Sequence, residues 1–192
     1  MNTLTSLEVY LMNNEQNKTQ KLAKLAMLAA ISLVLVLLIH FPIIPTATFL
    51  EYDPADIPIF IGTFAFGPAA GVLLTVVVSV IQGLTVSAGG QIWGIIMHII
   101  ATGSFCIAAG NIYKYNKTKK GAVIALLVGC IVMTVVMCGC NLVITPIYTG
   151  MPREAVMAMI PTVVLPFNLI KAGINAIVTF ILYKRISKFL HK

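Results

Sequence analysis

Apolar residues run along this chain in blocks too long for a water-soluble core, broken only by short polar punctuation. Leu25 to Phe41 is apolar except for Ser32 and His40, long enough for one tilted crossing of a hydrocarbon layer about 30 Å thick. From Ile57 to Tyr113 there is no Asp, Glu, Lys or Arg, which at about 1.5 Å per residue is helix enough for more than two crossings. The Phe66-Gly67-Pro68 break reads as a turn. The pattern therefore predicts a short second helix over about Asp56 to Phe66 and a third over about Ala69 to Leu84. A tight Ser87-Ala88-Gly89-Gly90 turn follows, then a fourth helix over about Ile92 to Tyr113. A fifth is expected over about Ala122 to Val143 and a sixth over about Pro166 to Tyr183. Two connections resist regular helix: Phe41 to Ala55, and Thr145 to Pro166 with Pro146, Pro152, Pro161 and Pro166.

Charge fixes how these segments thread. The chain is 59% hydrophobic and 10% charged, against about 25% charged in soluble domains, so polar groups are too few to coat a water-facing globule. The formal charge of +7 does not describe a nucleic-acid face. Lys18, Lys21 and Lys24, then Lys114, Lys117, Lys119 and Lys120, then Lys184, Arg185, Lys188 and Lys192 form three clusters beside apolar segments; only Arg153 and Lys171 stand apart. The positive-inside rule puts all three clusters on the cytoplasmic side. Every stretch between clusters then crosses an even number of times. The expectation is an all-α integral membrane protein of the cell membrane with six transmembrane helices and both termini cytoplasmic. Residues 1–20 are expected to be a polar cytoplasmic tail without signal-peptide character, and 21–192 a single membrane domain. A second helix of about ten residues covers only half the bilayer. The Phe41 to Ala55 connection is expected to fill the outer half as a lid or wall over a pocket near the extracellular side, because irregular backbone at membrane depth survives only when buried.

The candidate chemistry lies in the last segment. Asn168, Lys171 and Asn175 fall within about 60° of one helix face. A cation at mid-bilayer costs at least about 2.5 to 3.5 kcal/mol. Lys171 either snorkels to the outer interface or lines a polar pocket, and the pocket is the reading carried forward, with the charge offset by ligand or water. Asn141 sits at a similar depth; it serves either as a ligand contact or as packing glue between helices. Asp53-Pro54 reads as a turn and Asp56 as the N-cap of the second helix. His40 and His98 have no carboxylate at helical spacing and read as hydrogen-bonded interior or interfacial groups. Cys106, Cys130, Cys138 and Cys140 read as small hydrophobes without metal-site spacing. Ala26 and Ala30 form a small-xxx-small ridge for a close-packed partner, internal or external. No phosphate-cradling loop, zinc-protease motif or nucleophile elbow occurs. A lipid-acting enzyme would show an intramembrane carboxylate cluster or metal ligands, and none is evident; a channel or structural subunit would use Lys171 and Asn168 only to join helices.

FLEYDPADIPIFIGTFAFGPAAGV (49–72), KLAMLAAISLVLV (24–36) and PFNLIKAGIN (166–175) together resemble the membrane-embedded substrate-binding (S) component of energy-coupling factor (ECF) vitamin transporters, and within that group the riboflavin-specific type. The similarity spans about Lys18 to Lys188, and the first stretch is the most specific. It implies capture of riboflavin from outside and ATP-driven delivery through a transmembrane coupling (T) subunit and two cytoplasmic ATPases. No enzymatic activity and no cofactor are implied, riboflavin being the transported ligand. By the same resemblance Asn141, Asn168 and Lys171 bond the isoalloxazine, and Thr48, Phe49 and Leu50 cap it. Gly94, Met97 and His98 of the fourth helix are further candidates, and the Ala26/Ala30 ridge meets the coupling subunit. A different vitamin is the alternative.

Overall fold

The computed structural model describes residues 2–44, 50–85 and 91–190, with side chains omitted from description at 2–14, 91 and 186–190. Helix α1 runs over Asn2–Leu38, and a two-residue ladder, β1 (Phe41–Pro42) with β2 (Glu51–Tyr52), closes the base of the first connection. There follow α2 (Asp56–Phe66), α3 (Pro68–Thr85), α4 (Gln91–Tyr115), α5 (Lys119–Thr149), α6 (Arg153–Met159), a π turn (Ile160–Val164) and α7 (Leu165–Leu190). The predicted sixth helix is thus α7. Among the described residues, five segments are long and apolar enough to cross a membrane: Glu15–Leu38, Pro68–Thr85, Ile92–Tyr115, Lys119–Thr149 and the continuous Arg153–Arg185.

The short helix α2 is the centre of the bundle. Nine of its residues, Asp56 through Phe64, are buried on every side, because α1, α3, α4 and α7 all pack on it. Phe60 stacks on Phe105 of α4 with ring centroids 3.6 Å apart, and Phe64, Tyr113 and Tyr183 form an aromatic cluster at the other end of α2. Gly67 separates α2 from α3 with φ of 93°, a left-handed conformation that favours glycine over any residue with a Cβ. The turn is therefore where the Gly-Pro pair predicted it.

The second connection is shorter than expected. α5 runs straight through Pro146, and its stop is Gly150 at φ 69°, whose N–H bonds Pro146 O, a left-handed glycine cap. Pro161 is absorbed in the π turn, and Pro166 sits in the first turn of α7, where a missing N–H removes little. What remains non-helical is Gly150-Met151-Pro152.

Candidate functional site

At the end of the bundle opposite the lysine clusters, a cavity of about 500 Å³ opens between the first connection and helices α1, α3, α4, α5 and α7. That volume suits a small organic ligand. The α7 wall carries Phe167, Asn168 and Lys171; α5 adds Asn141 and Met137; α4 adds Gly94, Met97 and His98; Leu50, Glu51 and Asp53 close it from the connection. Seven of the nine expected contact positions therefore line one cavity. Thr48 and Phe49 lie outside the described residues.

Asn168 is aimed by a bond back to the preceding turn: its Nδ2 donates to Val164 O at 2.7 Å, which fixes the amide and leaves Oδ1 without a partner among the described residues. Asn141 is tied within α5: Nδ2 donates to Met137 O at 2.9 Å, and Oδ1 accepts from Thr145 Oγ1 at 3.0 Å. Both amides are nearly inaccessible to solvent.

Lys171 is not left for ligand or water to offset. Its Nζ donates to Asp53 Oδ2 at 2.7 Å, with the two side chains 12% and 9% exposed. The expectation that the guest or water alone offsets this charge is corrected: the turn residue Asp53 supplies the counter-ion, and Lys171 keeps two further N–H groups. Asp53 Oδ1 also accepts from Ala55 N at 3.1 Å, closing the Asx turn that precedes α2.

Asp56 does not cap α2. Ala55 holds that position without a side-chain bond, and Asp56 lies inside the first turn. Its fully buried carboxylate instead gathers three helices: Oδ1 accepts from His98 Nε2 at 3.0 Å and Thr102 Oγ1 at 3.1 Å, and Oδ2 lies 3.5 Å from Asn175 Nδ2. His98 Nδ1 meets Ser79 Oγ at 2.8 Å, so both ring nitrogens are engaged and His98 offers the cavity ring surface. Asn175, on the same face as Lys171 but deeper, accepts from Tyr52 OH at 3.1 Å and donates to Asp53 O at 3.3 Å. Asp53 lines the cavity and the buried Asp56 stands behind His98, so two carboxylates lie close to it where the sequence pattern predicts no intramembrane carboxylate cluster. Each is matched by a basic side chain, and among the described residues no three His, Cys, Asp or Glu side chains gather around a metal position.

Sequence reasoning missed Asp53, Ser79 and Gln82. The signal for the last two was their i, i+3 spacing on one face of an otherwise apolar α3. Ala26 and Ala30 are both exposed on α1, while Leu25, Leu28 and Ala29 face the core. The ridge therefore points out of the molecule, not toward an internal helix.

The sequence matches the family described as "ECF transporter, substrate-specific component" over residues 20–183. Similar curated proteins include riboflavin transporter RibU of Staphylococcus aureus, 34% identical with 82% of this chain and 86% of that protein covered. Riboflavin transporter FmnP of Bacillus subtilis is 28% identical, with 82% and 87% covered. A solved structure described as the S component of a bacterial ECF transporter superposes with a TM-score of 0.76 at 33% identity, covering 92% of this chain and 99% of that one.

Proposed function

Because this chain belongs to the substrate-specific components of ECF transporters, a family of multi-pass membrane transport subunits and not enzymes, we propose that it captures riboflavin in the cavity beside Lys171. Two of the similar proteins carry riboflavin transport in their names. The observation that carries the reading is the α7 wall. Riboflavin's ring ends in an imide, acceptor, donor, acceptor in sequence. Asn168 Oδ1 is a fixed acceptor and Lys171 Nζ a donor one turn away on the same wall, which complements that edge. Riboflavin is neutral, so the ion pair with Asp53 need not open to admit it. Asn141, Leu50, Met97 and the backbone at Gly94 shape the walls around the ring, with Thr48 and Phe49 assigned to its cap.

The remaining topology follows the same reading. α2 spans about half a bilayer, and the β1–β2 connection completes that crossing, giving six crossings with both ends cytoplasmic. The cavity, lying away from every lysine cluster, then faces outward. Energy comes from the ECF module that components of this family associate with: a coupling T subunit and two ATPases, the former meeting the exposed Ala26/Ala30 ridge. Tryptophan at Ala30 is expected to leave riboflavin binding by the purified subunit unchanged and to reduce uptake of labelled riboflavin by coupled cells at least about tenfold, since the close approach that small residues permit is lost. Normal uptake by Ala30→Trp would place the docking surface elsewhere. The function itself is tested by that uptake assay with the unaltered chain: accumulation requires riboflavin and the coupling module together, and no accumulation with both present would refute it.

A further inference from the structure

Gln82 Oε1 is buried and has no hydrogen-bond partner among the described residues, and Gln82 lines the cavity from α3. Ser32 Oγ and Thr134 Oγ1 share the first property, but neither lines the cavity. A hydroxyl can also turn to donate to a carbonyl of its own helix. An acceptor has no such recourse, because the amides around it are spent on the helix. Turning the carboxamide by 180° only exchanges an orphaned acceptor for an orphaned donor. Leaving either buried and unmatched is costly, so the partner that fits is one arriving from the cavity that both donates and accepts.

We propose that Gln82 is the contact for a hydroxyl of the ligand's sugar-alcohol chain and so a specificity-determining residue for flavins that carry one. The inference rests on the riboflavin reading above. The isoalloxazine has a single N–H, and its place is against Asn168 Oδ1 on the α7 wall. α3 forms a different wall, packed on α1, α2 and α4 while α7 packs on α2 and α5. The donors left to the ligand are the ribityl hydroxyls, which also tolerate either orientation of the carboxamide. Ser79, one turn deeper, is engaged with His98 and the Thr75 carbonyl, so Gln82 is the polar group of this face still open to a ligand.

The test compares riboflavin with lumiflavin, which carries a methyl in place of the ribityl chain, on the wild-type protein and on Gln82→Met and Gln82→Leu. Riboflavin affinity is expected to fall about tenfold in both variants, the scale of one lost hydrogen bond to a desolvated group. Lumiflavin affinity is expected to hold within about twofold, within the scatter of near-neutral contacts. The melting temperature of the ligand-free protein should stay level or rise, because an unmatched polar group has been removed, whereas a structural glutamine would lower it. Equal losses for both flavins, or no loss for riboflavin, would overturn the role of Gln82 while leaving the flavin pocket standing. A wild-type protein that binds neither flavin would overturn both.

Discussion

Lys171→Met is expected to weaken riboflavin binding by about ten- to a hundredfold and, separately, to destabilise the ligand-free protein. The two losses have different origins. Binding loses a charge-assisted hydrogen bond to the ring edge, worth about 1.5 to 3 kcal/mol. Stability falls because Asp53, 9% exposed and 2.7 Å from Nζ, is left as an uncompensated carboxylate, and removing one partner of a buried pair costs about 3 to 5 kcal/mol. The double variant Asp53→Asn/Lys171→Met should therefore recover much of the melting temperature without recovering affinity. Titration by flavin fluorescence and a thermal melt in the same detergent separate the two. If the double variant regained affinity as well, Lys171 would be only a partner for Asp53 and not a ligand contact.

Asp56→Ala is the substitution expected to damage the fold most. The Asp56 carboxylate is fully buried and serves His98, Thr102 and Asn175 at once, from α4 and α7. Alanine leaves a basic ring and two polar groups without their acceptor. The expected loss is about 3 to 5 kcal/mol, which takes a large share of a typical stability of about 5 to 15 kcal/mol and reads as a strongly lowered melting temperature or loss of folded protein. Asp56→Asn keeps an acceptor in place and should lose less, while Thr102→Val removes one bond and should cost about 1 kcal/mol. An Asp56→Ala protein that melts with the wild type would show that the network does not hold α2 between α4 and α7.

The parts of this molecule written in runs and turns were legible from the sequence, and the parts written in pairings were not. The boundaries of α2 follow from a proline-bearing first turn and the Phe66-Gly67-Pro68 stop, and the observed helix ends on those residues. Asn168 and Lys171 stood out because polar side chains are costly in an apolar helix. The Asp53–Lys171 pair joins residues 118 positions apart and the His98–Asp56 contact joins residues 42 apart. Only the fold brings them together, so local rules read Asp53 as a turn and Asp56 as a cap. Proline misled for a related reason. Soluble-protein habits end a helix before Pro146 and Pro161, but inside a membrane the chain loses more by abandoning helix than by forfeiting one bond, and the π turn absorbs the second proline. The stop of α5 is instead Gly150, whose left-handed cap a glycine adopts without strain.

The most direct test is an equilibrium titration of the purified protein with riboflavin, in competition with 3-methylriboflavin, whose imide nitrogen has no hydrogen to give. The wall built by Asn168 and Lys171 predicts saturable quenching at one riboflavin per chain, with the methylated flavin competing at least about tenfold more weakly. Absence of saturable quenching, or equal competition by the methylated flavin, would contradict the account.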